Sequence, residues 1–150
     1  MRFLGNIEAK TDVKGRAFLP AIFRKVLQAS GEEMLVLRRD VFQQCLVLYP
    51  GSVWNARLDA LKAKLKLWKP AHQQMLRQYV SEAETLSLDG NGRFLISRRL
   101  LKAADIEQDI QFIGMDDTIE IWAPKHLQET LKTEEEFGHD FEEIMEEIDN

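Results

Sequence analysis

Apolar and polar positions along this chain follow a pattern that occurs twice. Leu46-Val47-Leu48-Tyr49-Pro50 and Ile119-Glu120-Ile121-Trp122-Ala123-Pro124 are short aliphatic runs that end in an aromatic residue and lead into proline. Their length and aliphatic character predict strands. Upstream of each, Asp12-Val13-Lys14-Gly15-Arg16-Ala17-Phe18-Leu19-Pro20 aligns with Asp89-Gly90-Asn91-Gly92-Arg93-Phe94-Leu95-Ile96-Ser97, sharing Asp, Gly and Arg at the same offsets. A basic, helix-like stretch follows each copy: Ile22-Phe23-Arg24-Lys25-Val26-Leu27 and Arg98-Arg99-Leu100-Leu101-Lys102-Ala103-Ala104. Each copy therefore predicts a strand, a tight turn at Asp-x-x-Gly-Arg, a second strand, a short helix and a further strand pair. The fold class expected is α+β and rich in β-structure.

The turns carry the firmest local chemistry. Gly15 and Gly92 supply positive φ at low steric cost, Asn91-Gly92 is a favoured hairpin dipeptide, and Asp12 and Asp89 can accept hydrogen bonds from turn amides. Pro20 suits the first turn of the helix that follows it, and Ser97 can cap the corresponding second helix. Between the copies, Trp54, Leu58, Leu61, Leu65 and Trp68 recur at spacings of four and three, which predicts one buried helical face. That face serves either the core of this chain or a subunit contact. Lys62, Lys64, Lys66 and Lys69 occupy the remaining surface until Pro70, where the helix is expected to break, and Met75, Leu76, Tyr79 and Val80 mark a second helical stretch. The organisation expected is a first unit over 1–50, connecting helices over 51–80, a second unit over 81–124, and a helix with an acidic tail over 125–150.

Composition narrows the class. A chain of 150 residues with 45% hydrophobic content holds one compact core or two small half-domains, and its well-mixed charges exclude a disordered chain. No stretch reaches the roughly 18 apolar residues of a membrane span, and the opening residues lack a leader pattern, so a cytoplasmic protein is expected, with no membrane partner. Cys45 is the only cysteine and lies in an apolar run, which predicts a buried thiol. The net charge of −5 disfavours nucleic acid until it is located along the chain. All 20 Lys and Arg fall at or before Lys132, against 16 of the 25 acids, so residues 1–132 carry +4 and the remaining nine acids give the tail −9.

Catalytic, metal-binding and phosphate-loop patterns are missing. His72, His126 and His139 are scattered, one cysteine makes no zinc pair, and the glycines near Asp89 are too few for a phosphate loop. No enzyme, cofactor, metal or small-molecule substrate is expected. Arg16 and Arg93 are the leading candidates for chemistry, because a guanidinium at a hairpin tip can hold O6 and N7 of one guanine in the major groove. Lys10, Lys14, Arg24, Lys25, Arg98, Arg99 and Lys102 could contact phosphate, and Asn91 stands at the second turn itself. For either arginine alone, a salt bridge to Asp12 or Asp89 is the plainer alternative; the repetition favours a contact surface.

With these residues in hand, the chain resembles the MraZ family of bacterial transcriptional regulators, within the AbrB-like swapped-hairpin superfamily. The resemblance rests on Asp12-x-Lys14-Gly15-Arg16, on Leu19-Pro20 with Arg24, on Cys45 through Pro50 followed by Trp54, on Asp89 through Ile96, and on Glu120-Ile121-Trp122. It covers nearly everything before the tail. It implies two swapped-hairpin, β-barrel-like half-units related by a pseudo-two-fold axis, and a ring-like homo-oligomer. It also implies nucleoid-associated binding to double-stranded promoter DNA at repeated G-rich elements of the division and cell-wall gene cluster, mostly as a repressor. By matched position, Arg16 and Arg93 become the base-contacting candidates and Lys14 a supporting one. Ser97 departs from the family pattern, which commonly has proline there.

The tail lies largely outside the resemblance. Phe137, Phe141, Ile144, Met145 and Ile148 recur at helical spacing among its acids and predict a short amphipathic helix. It either docks on this chain or a neighbour and competes with DNA, or ends the chain in solvent. A rival reading of the whole is an antitoxin-like protein-interaction module. That role also pairs a swapped hairpin with an acidic tail, but usually with one hairpin unit per chain.

Overall fold

A computed structural model describes residues 1–149, with side chains through Glu147. The first repeat runs β1 (Asn6–Lys10), β2 (Arg16–Phe18), α1 (Ala21–Ala29), β3 (Leu35–Arg39), β4 (Leu46–Pro50) and α2 (Gly51–Lys64). After α3 (Pro70–Ser81) the same order returns as β5 (Glu84–Leu86), β6 (Arg93–Leu95), α4 (Arg98–Ala103), β7 (Asp109–Gly114), β8 (Ile119–Trp122) and α5 (Pro124–Thr130). Helix α6 (Glu134–Asp149) follows. The expected mixture of helices and antiparallel strands is present.

Strand pairing crosses between the repeats. Six strands form one sheet in the order β1-β7-β8-β4-β3-β5, and β2 and β6 leave it to pair only with each other. β1 of the first repeat lies against β7 of the second, from Asn6↔Ile113 to Lys10↔Asp109, while β5 of the second lies against β3 of the first. The expected barrel-like closure is not observed: β1 and β5 are open edges of the large sheet, and the β2–β6 ribbon is a separate layer.

Burial explains the apolar runs. β4 is buried at all five positions because both of its faces are covered. Leu46 and Leu48 enter the main core, whereas Val47 and Tyr49 join Val36 and Trp54 in a second cluster beneath α2. The main core draws on both repeats, with Phe3 edge-on to Phe23 at 5.7 Å and Phe94 against Phe112 at 6.3 Å. Ala17 and Phe94, opposite one another in the ribbon, tie it to that core. Cys45 is buried with Trp122 and Leu127, and desolvation raises its thiol pKa well above the ordinary value.

The stripe read between the repeats is only partly buried. Trp54 is buried, stacked on Tyr79 at 5.2 Å and edge-on to Tyr49, and Leu58 is half-buried. The helix then ends at Lys64, so Leu65 and Trp68 fall in the connection to α3, where Trp68 is 76% exposed. Pro70 opens α3 at its first turn, where proline lacks only an amide that would be unpaired anyway. Pro20 similarly sits one residue before α1, its carbonyl accepting from the amides of Phe23 and Arg24. Ser97 caps α4, with its hydroxyl accepting from the Leu100 amide. In α6, Thr133 Oγ1 accepts from the Glu136 amide at 3.1 Å, and Glu134, Glu135 and Glu136 suit the positive end of the helix dipole. The side chain of Ile148 lies outside the described residues.

Candidate nucleic-acid interface

The two turns are built alike, bond for bond. Asp12 Oδ1 accepts from the amides of Lys14 and Arg16, each at 2.9 Å, and Asp12 Oδ2 accepts from Arg16 Nε at 2.9 Å. Asp89 Oδ1 accepts from the amides of Asn91 and Arg93, each at 2.9 Å, and Asp89 Oδ2 from Arg93 Nε at 3.0 Å. Gly15 at φ +89 and Gly92 at φ +81 close the turns in a conformation that L side chains rarely adopt. At Gly15 space excludes a side chain as well, since a Cβ there would stand 2.6 Å from the Ile96 carbonyl oxygen, whereas a Cβ on Gly92 would meet Arg24 Nη1 at 2.4 Å and push the arginine side chain aside.

Electrostatics hold the arrangement ionised. The Arg16 amide lowers the Asp12 pKa, helped by the Arg16 side chain and the Lys14 amide. The Arg93 amide does the same for Asp89, together with Asn91 and the Arg93 side chain. The salt bridges anticipated as the plainer alternative are therefore present in both turns. They engage Nε, and among the described residues neither arginine has a hydrogen-bond partner on its two Nη groups. A carboxylate on Nε fixes the plane of the guanidinium and leaves the end-on fork of Nη donors for another acceptor.

The β2–β6 ribbon brings the turns together. Its register sets Arg16 opposite Leu95, Ala17 opposite Phe94, and Phe18 opposite Arg93. Side chains alternate across a strand, so Arg16, Phe18, Arg93 and Leu95 share the outer face while Ala17 and Phe94 point into the core. Phe18 and Leu95 are more than half exposed beside the arginines, and Arg93 Cζ stands 5.8 Å from the Phe18 ring. Sequence reasoning missed these two apolar residues. The spacing Arg-x-Phe and Arg-x-Leu, of period two, was the signal that could have found them.

The other candidates are placed unequally. Lys14 and Asn91 occupy equivalent exposed positions in the two turns, and Lys25 and Lys102 are exposed on their helices. Arg98 opens α4 and lines one concavity with Thr11, Asp12, Lys14 and Gly15. Arg24 lies against Gly92 in the second turn, its buried Nε without a hydrogen-bond partner among the described residues, whereas Leu101 lies against Gly15 in the first. Lys10 stands at the end of β1, 4.0 Å from Asp109. Arg99 is engaged elsewhere, paired with Glu84 at 2.6 Å and donating to the Glu82 carbonyl at 3.0 Å. Among the described residues no group of three His, Cys, Asp or Glu side chains could hold a metal ion, and no helix is long and apolar enough to cross a membrane.

Comparison with known proteins places this sequence in a family. The family described as "MraZ protein, putative antitoxin-like" matches residues 79–147, a span that takes in most of the acidic tail, which the resemblance had left largely outside. The protein named Transcriptional regulator MraZ from Phocaeicola vulgatus is 58% identical over 145 residues, covering 97% of this chain and 94% of that protein. Its namesake from Bacteroides thetaiotaomicron is 52% identical over 145 residues, covering 97% and 93%. A more distant one, from Acidithiobacillus ferrooxidans, is 36% identical over 124 residues, covering 80% and 82%. The chain belongs to the MraZ family.

Proposed function

We propose that this chain is a sequence-specific DNA-binding transcriptional regulator that reads G-rich promoter elements through the paired turns of its ribbon. The carrying observation is that two identically built Asp–Arg turns place Arg16 and Arg93 on one exposed face. The two residues are diagonal cross-strand neighbours, whose backbones are separated by roughly 7–8 Å. That matches about two base-pair steps at 3.4 Å each, so the pair suits guanines at closely spaced positions in a major groove. Lys14, Asn91, Arg24 and Arg98 at the turns and Lys10 at the end of β1 would serve as backbone or base contacts, and Phe18 offers an apolar surface to a thymine methyl. Arg99, held by Glu84, would need to exchange partners to join them.

The finer architecture follows the same reading. The crossed pairings β1–β7 and β3–β5, with β2–β6 between the repeats, support a swapped-hairpin pseudo-two-fold arrangement of units 1–50 and 81–124 joined by helices over 51–80. Residues 125–150 carry the last helices. The family resemblance supports repression of the division and cell-wall gene cluster, a ring-like homo-oligomer and a nucleoid-associated site of action, with no catalytic role.

The test compares binding to a promoter fragment carrying several G-rich repeats with binding to a scrambled fragment, at near-physiological salt. Intact protein should prefer the repeats, and Arg16→Ala with Arg93→Ala should abolish the preference. Equal binding to both fragments by the intact protein would instead favour the antitoxin-like interaction module, a role named in the description of the matching family.

A further inference from the structure

We propose that α6 of one copy docks on the α2–α3 tip of a second copy, making a head-to-tail contact between subunits. The observation is a pair of exposed surfaces on one chain that complement each other in both charge and apolarity. From residue 60 to residue 81 the tip carries Lys62, Lys64, Lys66, Lys69 and Arg77 and not one acid. From 134 to 147, α6 carries eight acids and no Lys or Arg.

Each surface also has an apolar centre. On the tip Trp68 is 76% exposed, with Leu67 and Met75 beside it at about two-fifths. On α6, Phe137, Phe141 and Ile144 are all more than half exposed along one helical face, with Met145 at its margin. An amphipathic helix with a bare apolar face is a helix awaiting a partner surface. The tip is held in shape to receive one: the Lys66 amide donates to His72 Nδ1 at 2.9 Å, and Gln73 Nε2 donates to the Leu67 carbonyl. α6 is likewise projected in a defined way. Leu127 anchors α5 against Cys45 and Trp122, only residues 131–133 connect the helices, and Lys132 pairs with Asp140.

Charge decides between the tip and the DNA-facing turns as the docking place. The turns also expose Phe18 and Leu95, but Asp12, Asp89 and Glu107 interrupt their positive field, whereas the tip has no counter-charge of its own. A one-way contact of α6 on a neighbour's tip is heterologous, and such contacts propagate into a ring where the rotation closes. This rests on the reading of the chain as a self-associating regulator and supplies the contact for it.

The test uses full-length protein, with assembly measured by size-exclusion chromatography with light scattering and folding checked by thermal melting. One variant reverses the tip (Lys64→Glu, Lys66→Glu, Lys69→Glu) and the other reverses α6 (Glu142→Lys, Glu143→Lys, Glu147→Lys). Each alone should lose assembly, and an equimolar mixture should recover it, because each reversed surface then meets its opposite on the other chain. If either variant fails to fold, Trp68→Ala, which removes an exposed side chain, should weaken association by about tenfold. An intact chain that stays monomeric would overturn the assembly reading itself. Assembly unchanged by the substitutions would overturn only this contact. So would loss without recovery on mixing, which means that α6 docks on its own chain. Tighter DNA binding by the α6 variant with assembly intact would place α6 over the turns and also overturn the proposal.

Discussion

At the scale of single residues, the turn aspartates matter more than their charge suggests. Asp12 and Asp89 each satisfy two backbone amides and one arginine, so their carboxylates shape the turn and aim the guanidinium together. Replacing both with alanine removes two negative charges from the turns, and on the proposed DNA-reading role binding to scrambled DNA should strengthen. Discrimination should nevertheless fall by roughly tenfold, because a guanidinium free to rotate loses its bidentate geometry. The ratio of affinities on repeat and scrambled fragments, compared at one salt concentration, checks this; a ratio left unchanged would mean that the arginines aim themselves. Away from the turns, His126 Nε2 lies 2.9 Å from Asp105 and its Nδ1 3.4 Å from Glu129, with Lys125 also on Asp105. The hydrogen bond to Asp105 raises the His126 pKa above 6.5 despite opposing desolvation. Its stabilising contribution is complete below that ordinary value and is lost as pH rises through the higher folded value. His126→Gln should therefore flatten the decline of Tm across neutral pH, as thermal melts at stepped pH would register.

At the scale of elements, legibility follows how local the determining physics is. The Asp-x-x-Gly-Arg turns were readable because aspartate, glycine and arginine act within five residues, and Ser97 as a cap acts within four. The crossing of β1 to β7 spans about a hundred residues and leaves no local mark in the sequence. The stripe from Trp54 to Trp68 misled because its spacing continues past the point where α2 loses its cover. Only Trp54 and its near neighbours find β4 and Tyr79, and the helix ends before Leu65. Phe18 and Leu95 were passed over because a strand of three residues shows its Arg-x-Phe or Arg-x-Leu alternation only once, a weak mark of a face. The ribbon they belong to is short and depends on the core. Phe94→Ala should cost about 3–5 kcal/mol by denaturant unfolding and loosen both turns at once. Ala17, its partner, contributes too little surface to compensate.

At the scale of the whole molecule, charge is segregated in a way that net charge conceals. The acids concentrate in α6, the lysines concentrate on the α2–α3 tip, and the arginine-bearing turns stand at the ends of the ribbon. On the proposed reading one ribbon face offers two base-contacting arginines, a small contact for a regulator that must find its site among many. Linking several such faces in one assembly converts later contacts into intramolecular ones, and avidity then rises by about 10²–10⁴ when the spacing of DNA elements matches that of the faces. Affinity should therefore climb steeply from a fragment with one element to fragments with two and three, and should fall back when an insertion of half a helical turn puts one element on the opposite side of the duplex. A variant that cannot assemble should bind all of these fragments alike, with the weak affinity of a single ribbon. Titrating the fragments against intact and assembly-deficient protein separates the two contributions. Insensitivity to spacing in the intact protein would mean that each ribbon reads its element independently.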